Sequence, residues 1–498
     1  MEIELKLSLA PQDAAALRRH PLLAGGTPVR KQLHSTYLDT PAWDLLRRRV
    51  ALRVRKAGRQ WLQTLKAEAA SVGALTSRPE WECELPRGHH DLGRLPPEAL
   101  RHLDGIDTRL IGPAFTTAFR RTAWLVERDG ASMEVALDEG EVRAGADALP
   151  LCELEIELKS GPPLVLFDLA LALLADLPMG VEPRSKAMRG YALAGAVRPA
   201  PVKAVAPDLR GCTDAGQAWR ALAEAALAQM VGNVPGFLQT PEENEYLHQL
   251  RVGARRLSAV AGLAPTLGMP EPAWTEGLKA LMDGLNAARD WDVFLAEVLP
   301  RVESALADAP LGAPTRRQLA RAAARARGGA QAAVAGAGFT ALVLAIGRDL
   351  AGEPPAGGAV ADWAAECLEA RWRRLCKRGK DFQHQDALRR HRLRIAAKRM
   401  RYTADALAGL FDRPDKFLGR LAALQDRLGA GQDAVMAGRL MTGLGTRSPQ
   451  VLFDAGRIAG VLAAGMPAHG SSGGKAWRAL LAARPFWPRA AQAEGRQT

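Results

Sequence analysis

Charged and apolar residues alternate strictly in the first six positions of the chain, Met1-Glu2-Ile3-Glu4-Leu5-Lys6. In an extended strand, successive side chains point to opposite faces, so Glu2, Glu4 and Lys6 are predicted to share one face. Similar alternation recurs in later short runs, at 51–55, 60–66, 80–85, 123–128, 132–137 and 152–159. This many strands with few helices over residues 1–160 predict an antiparallel sheet that closes on itself.

Almost every predicted strand carries its charges on one face and its aliphatic residues on the other. In an open sheet the charged face would be ordinary solvent-exposed surface, whereas in a closed sheet it would be the lumen. Charge inside a lumen is costly unless it is paired or bound to ions. The predicted lumen holds both signs: Lys6, Arg53, Arg55, Lys66, Arg121 and Lys186 are basic, and Glu2, Glu4, Asp138, Glu153 and Glu155 are acidic. Basic groups bind phosphoryl oxygens and carboxylates bind Mg²⁺ or Mn²⁺, so this mixture suits a polyphosphate substrate carried by a divalent metal.

The second half of the chain has a different pattern. Residues 196–210 form a linker rich in Pro and Ala, and beyond it Ala, Leu and Arg dominate and follow helical periodicity to about residue 440. The run 248–257 aligns with 391–400, and 285–290 aligns with 428–433 at the same offset of 143 residues. This internal repeat predicts two similar helical bundles, at about 211–350 and 360–490, related by a pseudo-twofold axis. Gln432 stands where the first copy has Arg289, so the two halves are not expected to be equivalent.

Net charge also separates the two halves. The chain carries +13 in total, but residues 1–200 hold 27 Lys and Arg against 26 Asp and Glu, which leaves 40 basic and 28 acidic residues for the remainder. An excess confined to one half indicates a polyanionic partner for that half. At this level nucleic acid, acidic lipid and polyphosphate all remain open.

Two predicted helices concentrate this charge. His248, Arg251 and Arg255 share one helix face, and the repeat places His391, Arg394 and Lys398 likewise. Two copies in register favour a convergent anion site over a solvated basic face. Nucleic acid is not expected as the partner, because these helices lack interleaved aromatic residues and any recognised DNA-binding motif.

Compartment is predicted from cysteine usage and hydropathy. The five cysteines are scattered without a CxxC pair, which favours reduced thiols in the cytoplasm. The charged N-terminus shows no signal peptide. Residues 328–347 contain no charge, but their first half is mostly Ala and Gly, so a buried helix is favoured and no membrane association is expected.

The first half resembles a known family. Glu2-Ile-Glu-Leu-Lys6 is similar to the ExExK signature of CYTH domains, the triphosphate tunnel metalloenzymes, and the resemblance extends over residues 1–195. Its other matching residues are Leu52-Arg53-Val-Arg55, Lys66, Arg78-Pro-Glu80, and the runs 136–140, 152–157 and 185–191. The resemblance implies an eight-stranded antiparallel tunnel that hydrolyses or cyclises triphosphates.

The family's roles transfer residue by residue. Metal coordination is implied for Glu2, Glu4, Glu153 and Glu155, and triphosphate binding for Lys6, Arg53, Arg55, Lys66, Arg121 and Lys186. Asp138 is implied to hold the metal or to position the attacking water, so that Glu2, Glu4, Asp138 and Lys66 form the catalytic set. Arg120 is an alternative to Arg121, and Glu80 and Glu157 stay open between a structural and a functional role.

The second half resembles the CHAD family, on the two runs of the form His-x-x-Arg-x-x-x-[Arg/Lys]-Arg. The likeness covers residues 211–490 and implies two four-helix bundles that bind inorganic polyphosphate through a basic surface. The residues it implicates are His248, Arg251, Arg255, Arg256, His391, Arg394, Lys398 and Arg399.

Together these observations predict an α+β multidomain protein, with an eight-stranded antiparallel β tunnel followed by an all-α domain of two pseudo-symmetric four-helix bundles. The predicted function resembles that of bacterial inorganic triphosphatases, which convert tripolyphosphate to pyrophosphate and phosphate with Mg²⁺ or Mn²⁺. One alternative is an enzyme acting on thiamine triphosphate or cyclising ATP. Another is a cytoplasmic protein whose main role is docking on polyphosphate granules.

Overall fold

The computed structural model describes residues 2–67, 70–72, 75–429, 432–464 and 471–488. The chain divides into two compact units. The first comprises Met1–Val202, Met230–Thr240 and Val334–Glu353, and the second comprises Lys203–Gln229, Pro241–Ala333 and Pro354–Thr498. The helical half of the sequence therefore contributes two segments to the first unit, which a linear division at residues 196–210 does not anticipate.

One antiparallel sheet dominates the first unit. Its strands within the described residues are β1 (Glu2–Leu9), β2 (Val29–Asp39), β3 (Ala51–Ala57), β4 (Gln60–Lys66), β5 (Ala70–Val72), β6 (Leu75–Arg78), β7 (Glu80–Leu85), β8 (Gly112–Arg128), β9 (Ala131–Ala144), β10 (Asp147–Ser160) and β11 (Met179–Val181). They are ordered β5-β6-β1-β10-β9-β8-β2-β3-β4-β7, and β11 pairs with β1.

The sheet curls into a tunnel because one interrupted strand joins its two ends. Only Pro79 separates β6 from β7, and β6 pairs with β1 while β7 pairs with β4. Proline has no N–H to donate, so it breaks the ladder where the strand changes partner. If β6 and β7 are counted as one strand, the circuit β1-β10-β9-β8-β2-β3-β4-β6/β7 has the eight members that the family resemblance implied.

The described part of the chain also contains α-helices in both units. In chain order they are α1 (Ala14–Leu17), α2 (Asp44–Arg47), α3 (Pro97–Leu100), α4 (Leu164–Asp176), α5 (Lys186–Leu193), α6 (Ala215–Gly232), α7 (Val234–Gln239), α8 (Asn244–Ala261), α9 (Trp274–Val293), α10 (Leu299–Ala305), α11 (Ala313–Ala335), α12 (Ala337–Ala351), α13 (Val360–Arg378), α14 (Ala387–Leu407), α15 (Asp415–Gly429), α16 (Gln432–Thr442), α17 (Pro449–Ala464) and α18 (Ser471–Leu481). A π-helical turn, Phe294–Val298, joins α9 to α10.

The strands turn their polar faces inward. Leu5 and Leu7 are fully buried on the outer face, where α4 lies against β1 and β10. Glu4 and Lys6 point into the tunnel and are only 4% and 6% exposed. The strict alternation of β1 therefore reflects an apolar face covered by helices and a charged face that lines a lumen.

Helix α12 packs on α4 and β11 in the first unit. The Thr340 hydroxyl donates to the Met179 carbonyl over 2.8 Å, and Arg348 forms an ion pair with Asp168. A Cβ built on Gly347 would lie 2.4 Å from the ring of Phe167, so the two helices approach closely there. The C-terminal part of the uncharged stretch 328–347 is thus a largely buried helix. No single helix in the described ranges is long and apolar enough to cross a membrane; α11 and α12 meet the length and composition test only together, as a bent pair.

The second unit shows the internal repeat in its helices. Helices α8 and α14 begin at residues 244 and 387, which reproduces the offset of 143 residues found in the sequence. Helix α8 packs against α9, α14 packs against α13 and α15, and the two equivalent helices α8 and α14 contact each other. A further core joins Trp291, Phe294 and Val298 to Met436 and Ile458. The predicted all-helical second half is confirmed.

Candidate active site

The tunnel of the first unit encloses a cavity of about 750 Å³. Of the predicted site residues, Glu2, Glu4, Lys6, Arg53, Arg55, Lys66, Arg121, Glu155 and Lys186 line it. Asp138 and Glu153 do not reach the cavity surface; they are 0% and 1% exposed and contact the lining residues from behind. Alternation along the strands therefore identified the inward face, but it did not distinguish the lining acids from those buried behind them.

Three carboxylates gather at one place in the tunnel wall. Asp138 and Glu153 are cross-strand partners on β9 and β10, and Glu155 follows two residues later on the same face. One oxygen from each lies within 4.8 Å of the others. We call Asp138, Glu153 and Glu155 the carboxylate triad.

Lys186 lies among the members of the triad. Its Nζ is 2.7 Å from Asp138 Oδ2 and 2.8 Å from Glu155 Oε1, and it also forms an ion pair with Glu153. Burial lowers the pKa of Lys186, but the three carboxylates outweigh it and raise that pKa above its usual value. Burial raises the pKa of Glu155, while Lys186, Lys6 and Arg121 bring it well below the ordinary range.

Arg121 holds the triad from the other side. Its Nε and one terminal nitrogen donate to the two oxygens of Asp138 over 2.8 and 2.7 Å, a forked geometry, and it also contacts Glu155. Arg120 lies on the outer face and pairs with Glu139 over 3.2 Å. Of the two arginines between which the sequence left the choice open, Arg121 is therefore the tunnel residue.

A second charged group joins the two ends of the sheet. Lys66 Nζ donates to both oxygens of Glu2 over 2.9 and 2.8 Å, and Arg78 Nε donates to Glu2 over 3.0 Å. A terminal nitrogen of Arg78 also donates to Glu4 over 2.8 Å. Glu2 and Glu4 thus pair with cations and are not members of the triad, so only Glu153 and Glu155 of the four predicted metal ligands lie together.

Arg78 is a site residue that the sequence-based assignment of roles missed. It was noted only as part of the family signature, yet it lines the cavity and contacts two of the predicted acidic residues. The signal was its register, because Arg78 is the cross-strand partner of Glu2 on β6 and β1. Glu80 and Glu157 also line the cavity; Glu80 pairs with Lys66 over 3.0 Å and Glu157 with Lys159 over 2.8 Å.

Arg55 differs from the other tunnel cations. Its Nε donates to the Ser35 hydroxyl over 3.0 Å, and no carboxylate in the described part of the chain forms an ion pair with it. Burial, followed by the positive charge of Arg53, lowers the pKa of Arg55 to about 10. Its guanidinium also lies 5.8 Å from the centre of the Phe119 ring. Arg55 therefore presents positive charge to the cavity that no carboxylate of the described residues offsets by direct contact.

The chemistry of the triad fits a hard divalent cation. Carboxylate oxygens are the ligands that Mg²⁺ and Mn²⁺ prefer, and their spacing within 4.8 Å suits a shared ion. The ammonium group of Lys186 already lies among these oxygens, which shows that the place favours a cation.

The second unit contains a separate basic cluster, formed by His248, Arg251, Arg255, Arg289, Arg394 and Lys398. Burial, followed by the positive charges of Arg394, Arg255 and Arg251, lowers the pKa of Lys398 to about 8. The pKa of His248 is also lowered, by burial and then by Arg289. Basic residues from both repeats therefore lie close enough together to repel one another.

Several buried nitrogen atoms of the basic cluster have no hydrogen-bond partner within the described part of the chain. His248 Nδ1, Arg251 Nε and Arg255 Nε are buried and find no hydrogen-bond partner among the described residues. The terminal nitrogens of Arg251 donate to the Met282 carbonyl and to Asn286, and the Arg255 guanidinium lies 6.0 Å from the Tyr402 ring centre. Buried donors without acceptors are costly, so the cluster is suited to an anion with several oxygens.

Not all predicted polyphosphate-binding residues join the cluster. Arg256 donates to Gln229 on α6 over 2.7 Å. Arg399 lies near Arg371 of α13, whose pKa is lowered by burial and then by Arg374 and Arg399. His391 is exposed. Arg289 was noted in the sequence but not assigned a role, although it acts on both His248 and Arg251; the side chain of its counterpart Gln432 lies outside the described residues.

Comparison with known proteins gives two domain families. Residues 1–191 match the CYTH domain and residues 221–442 match the CHAD domain. The chain is 37% identical over 200 residues to an inorganic triphosphatase of Haemophilus influenzae; the match covers 39% of this chain and 54% of that protein, so this chain spans just over half the length of the relative.

Solved structures give likenesses for each half. The CHAD domain from the plant Ricinus communis is 29% identical, with a TM-score of 0.50, covering 58% of this chain and 98% of that one. HpAC1 from Hippeastrum, described with a dominant triphosphatase activity, is 21% identical, with a TM-score of 0.30, covering 40% of this chain and 98% of that one. We conclude that residues 1–191 belong to the CYTH family and residues 221–442 to the CHAD family.

Proposed function

We propose that the tunnel binds inorganic tripolyphosphate and hydrolyses it to pyrophosphate and phosphate. The observation that carries this proposal is Arg55, a cavity-lining cation to which no described carboxylate is paired. A phosphoryl group of the substrate would supply the negatively charged partner that Arg55 lacks among the described residues. The 37% identity to an inorganic triphosphatase supports the same substrate class.

Lys6 and Arg53 extend the positive charge around Arg55. Lys6 lies 3.4 Å from Glu155 and 3.7 Å from Glu4, and Arg53 lies 3.7 Å from Glu80. These ion pairs are loose, so neither cation is held to a carboxylate by a short contact; Arg53 also hydrogen-bonds to Thr64 over 3.3 Å and to Tyr37. Phosphoryl transfer depends on positioning and charge stabilisation, and an array of cations inside a low-dielectric tunnel provides both.

The carboxylates have a complementary role. Asp138, Glu153 and Glu155 would hold a divalent cation, Mg²⁺ or Mn²⁺, which when bound neutralises phosphoryl charge and polarises the reacting phosphorus. Asp138 is fully buried and also orients Arg121 from behind the cavity surface. Water attacks the terminal phosphorus, and the cavity cations stabilise the charge of the leaving pyrophosphate. No side-chain nucleophile is needed.

A substrate panel tests this proposal against its alternatives. Phosphate release is measured from tripolyphosphate, thiamine triphosphate and ATP with Mg²⁺ and Mn²⁺ titrated, and cyclic AMP is assayed in parallel. We expect the highest kcat/KM for tripolyphosphate and a large loss in Arg55→Gln, with Arg120→Gln as a matched control on the outer face. Preferred turnover of another triphosphate, or cyclic AMP formation, would replace the proposed substrate.

We propose a second function for the helical half, which is binding of long-chain polyphosphate at the basic cluster. The proposal is supported by Arg251 Nε, Arg255 Nε and His248 Nδ1, which are buried and have no hydrogen-bond partner among the described residues. Binding to the full chain is expected to weaken steeply with salt, because a polyanion releases counterions. The pair of changes Arg255→Gln and Lys398→Gln should remove most of the affinity, whereas Arg321→Gln, an exposed position on α11, should not. Absence of binding at low salt would leave this docking role without support.

A further inference from the structure

Lys186 is the first residue of α5, a position where the helix does not favour a cation. The N-terminus of a helix carries partial positive charge, and Ser185 caps this one by accepting from the Met188 N–H over 3.1 Å. Even so, the Lys186 side chain is buried at this position, and the residue is only 5% exposed. Its contacts with Asp138, Glu153 and Glu155 hold it in place.

The ammonium group and a divalent cation need the same place. Lys186 Nζ contacts all three carboxylates of the triad, and the oxygens of that triad lie within 4.8 Å of one another. Two positive charges cannot share that space, because they repel strongly at such distances. Occupation of the triad by a metal therefore requires Lys186 to turn away.

An oxyanion in the cavity would give Lys186 a second set of oxygens to contact. Lys186 lines the cavity together with the cations Lys6, Arg55 and Arg121 and with acids such as Glu134 and Glu182. Beside these cations, an outward-turned ammonium group is stabilised when an oxyanion is present to receive it. The side chain is long and flexible enough to exchange one set of oxygens for the other.

We propose that Lys186 couples metal binding to anion binding in the tunnel. Without ligands it offsets part of the charge of the carboxylate triad, alongside Arg121 and Arg189, and competes with the metal. An oxyanion in the cavity draws it away and frees the triad, so each ligand strengthens the binding of the other by the same factor. This inference rests on the proposed function for the identity of the natural anion, but not for its test.

The test measures Mn²⁺ binding to the full chain by electron paramagnetic resonance, without triphosphate and without turnover. Lys186→Met removes the competing charge at nearly constant length, and Lys56→Met, an exposed position on β3, is the matched control. We expect Lys186→Met to bind Mn²⁺ at least about tenfold more tightly than the wild type, and Lys56→Met to bind it equally. Folded Lys186→Met protein with equal or weaker Mn²⁺ affinity would overturn the proposal.

A second measurement compares the Mn²⁺ affinity of the wild-type chain with and without an oxyanion. Sulfate fills an oxyanion site but chelates Mn²⁺ weakly, so it is added at constant ionic strength with chloride as the reference. Sulfate should tighten Mn²⁺ binding by the wild type and have no such effect on Lys186→Met. If sulfate leaves the wild-type affinity unchanged, the coupling does not exist, even where Lys186→Met fails to fold. Neither measurement involves hydrolysis. An inactive enzyme would therefore contradict the proposed function but would leave the measured coupling between metal and anion binding unchanged.

Discussion

Lys66 Nζ lies 2.8 Å from Glu2 Oε2, which joins the first strand of the chain to the fourth at the point where the sheet curls shut. Their side chains are only 12% and 11% exposed. Neighbouring charges modify this pair: burial lowers the pKa of Lys66, Arg53 and Arg78 lower it further, and Glu2 and Glu80 oppose them. The tunnel thus depends on ion pairs whose members belong to strands distant in sequence.

A double-mutant cycle on this pair tests that dependence. Lys66→Met and Glu2→Gln should each lower the free energy of unfolding by roughly 1–3 kcal/mol, because each removes one partner of a buried charge and leaves Glu2 with Arg78 or Lys66 with Glu80. The double mutant should cost less than the sum, with a coupling energy of about 1–3 kcal/mol. Urea unfolding provides the measurement. Glu141→Gln, which breaks the exposed pair with Arg143, is the control and should show no measurable change. If the free-energy changes of the Lys66→Met and Glu2→Gln variants are strictly additive, the two side chains do not interact and the sheet does not depend on their ion pair.

The fork between Arg121 and Asp138 should be essential for activity. Arg121→Lys keeps the charge but loses the two parallel hydrogen bonds of 2.8 and 2.7 Å. We expect kcat/KM for tripolyphosphate to fall by roughly 100-fold, because Asp138 then no longer holds the cation in position. Steady-state kinetics check this, and Arg120→Lys on the outer face is expected to match the wild type. Equal losses for the two variants would show that position within the tunnel is irrelevant.

Polyphosphate binding should depend on pH through Lys398. Burial and then Arg394, Arg255 and Arg251 lower the pKa of this lysine to about 8 in the free protein. Lys398 is charged below that pH, and a bound polyanion stabilises the charged form, so above pH 8 binding requires the uptake of a proton. Affinity is therefore expected to fall as the pH rises from about 7 to about 9.5 at constant ionic strength. Fluorescence anisotropy with labelled polyphosphate measures the trend, which Lys398→Arg should flatten; the same slope in both proteins would refute the assignment.

The close approach of α12 to α4 should be visible in stability. A Cβ on Gly347 would lie 2.4 Å from the Phe167 ring, whereas a Cβ on Gly338 of the same helix would meet nothing within 4 Å. Gly347→Ala is expected to lower the free energy of unfolding by about 1–3 kcal/mol through overpacking. Gly338→Ala should raise it by up to about 1 kcal/mol, because alanine is the better helix former. Denaturant unfolding of both variants measures these changes in the free energy of unfolding. Stabilisation by Gly347→Ala would show that α12 does not pack on α4.

Much of the tunnel was predictable because its polar lining imposes a regular pattern. In β1 the residues Ile3, Leu5 and Leu7 alternate with Glu2, Glu4 and Lys6, so the sequence itself marks the two faces. Strand β2 was missed for the opposite reason. Its inward positions include Ser35, and its first four residues are all exposed, so apolar and polar residues do not alternate clearly. Its place is set by long-range pairing with β3 and β8.

The distribution of the carboxylates was the least predictable part of the site. Glu2, Glu4, Glu153 and Glu155 all lie on the inward face, as alternation predicts, but alternation does not determine which acids meet which bases. Register decides that: β9 brings Asp138 beside Glu153, and β6 brings Arg78 beside Glu2. Likewise, the sequence repeat predicted that His248 and Lys398 belong to equivalent helices, but helix packing turns Arg256 and Arg399 away from the cluster.

Phosphate release from tripolyphosphate by the Glu4→Gln protein, compared with the wild type, shows whether the charged lumen carries out the hydrolysis. Glu4 is 4% exposed, lines the cavity and accepts a hydrogen bond of 2.8 Å from Arg78. Removing its charge therefore alters the lining of the tunnel. We expect rapid metal-dependent turnover by the wild type and none by Glu4→Gln protein that retains its fold by circular dichroism. Full turnover by the folded variant would contradict the claim that the charged lumen is the site of hydrolysis.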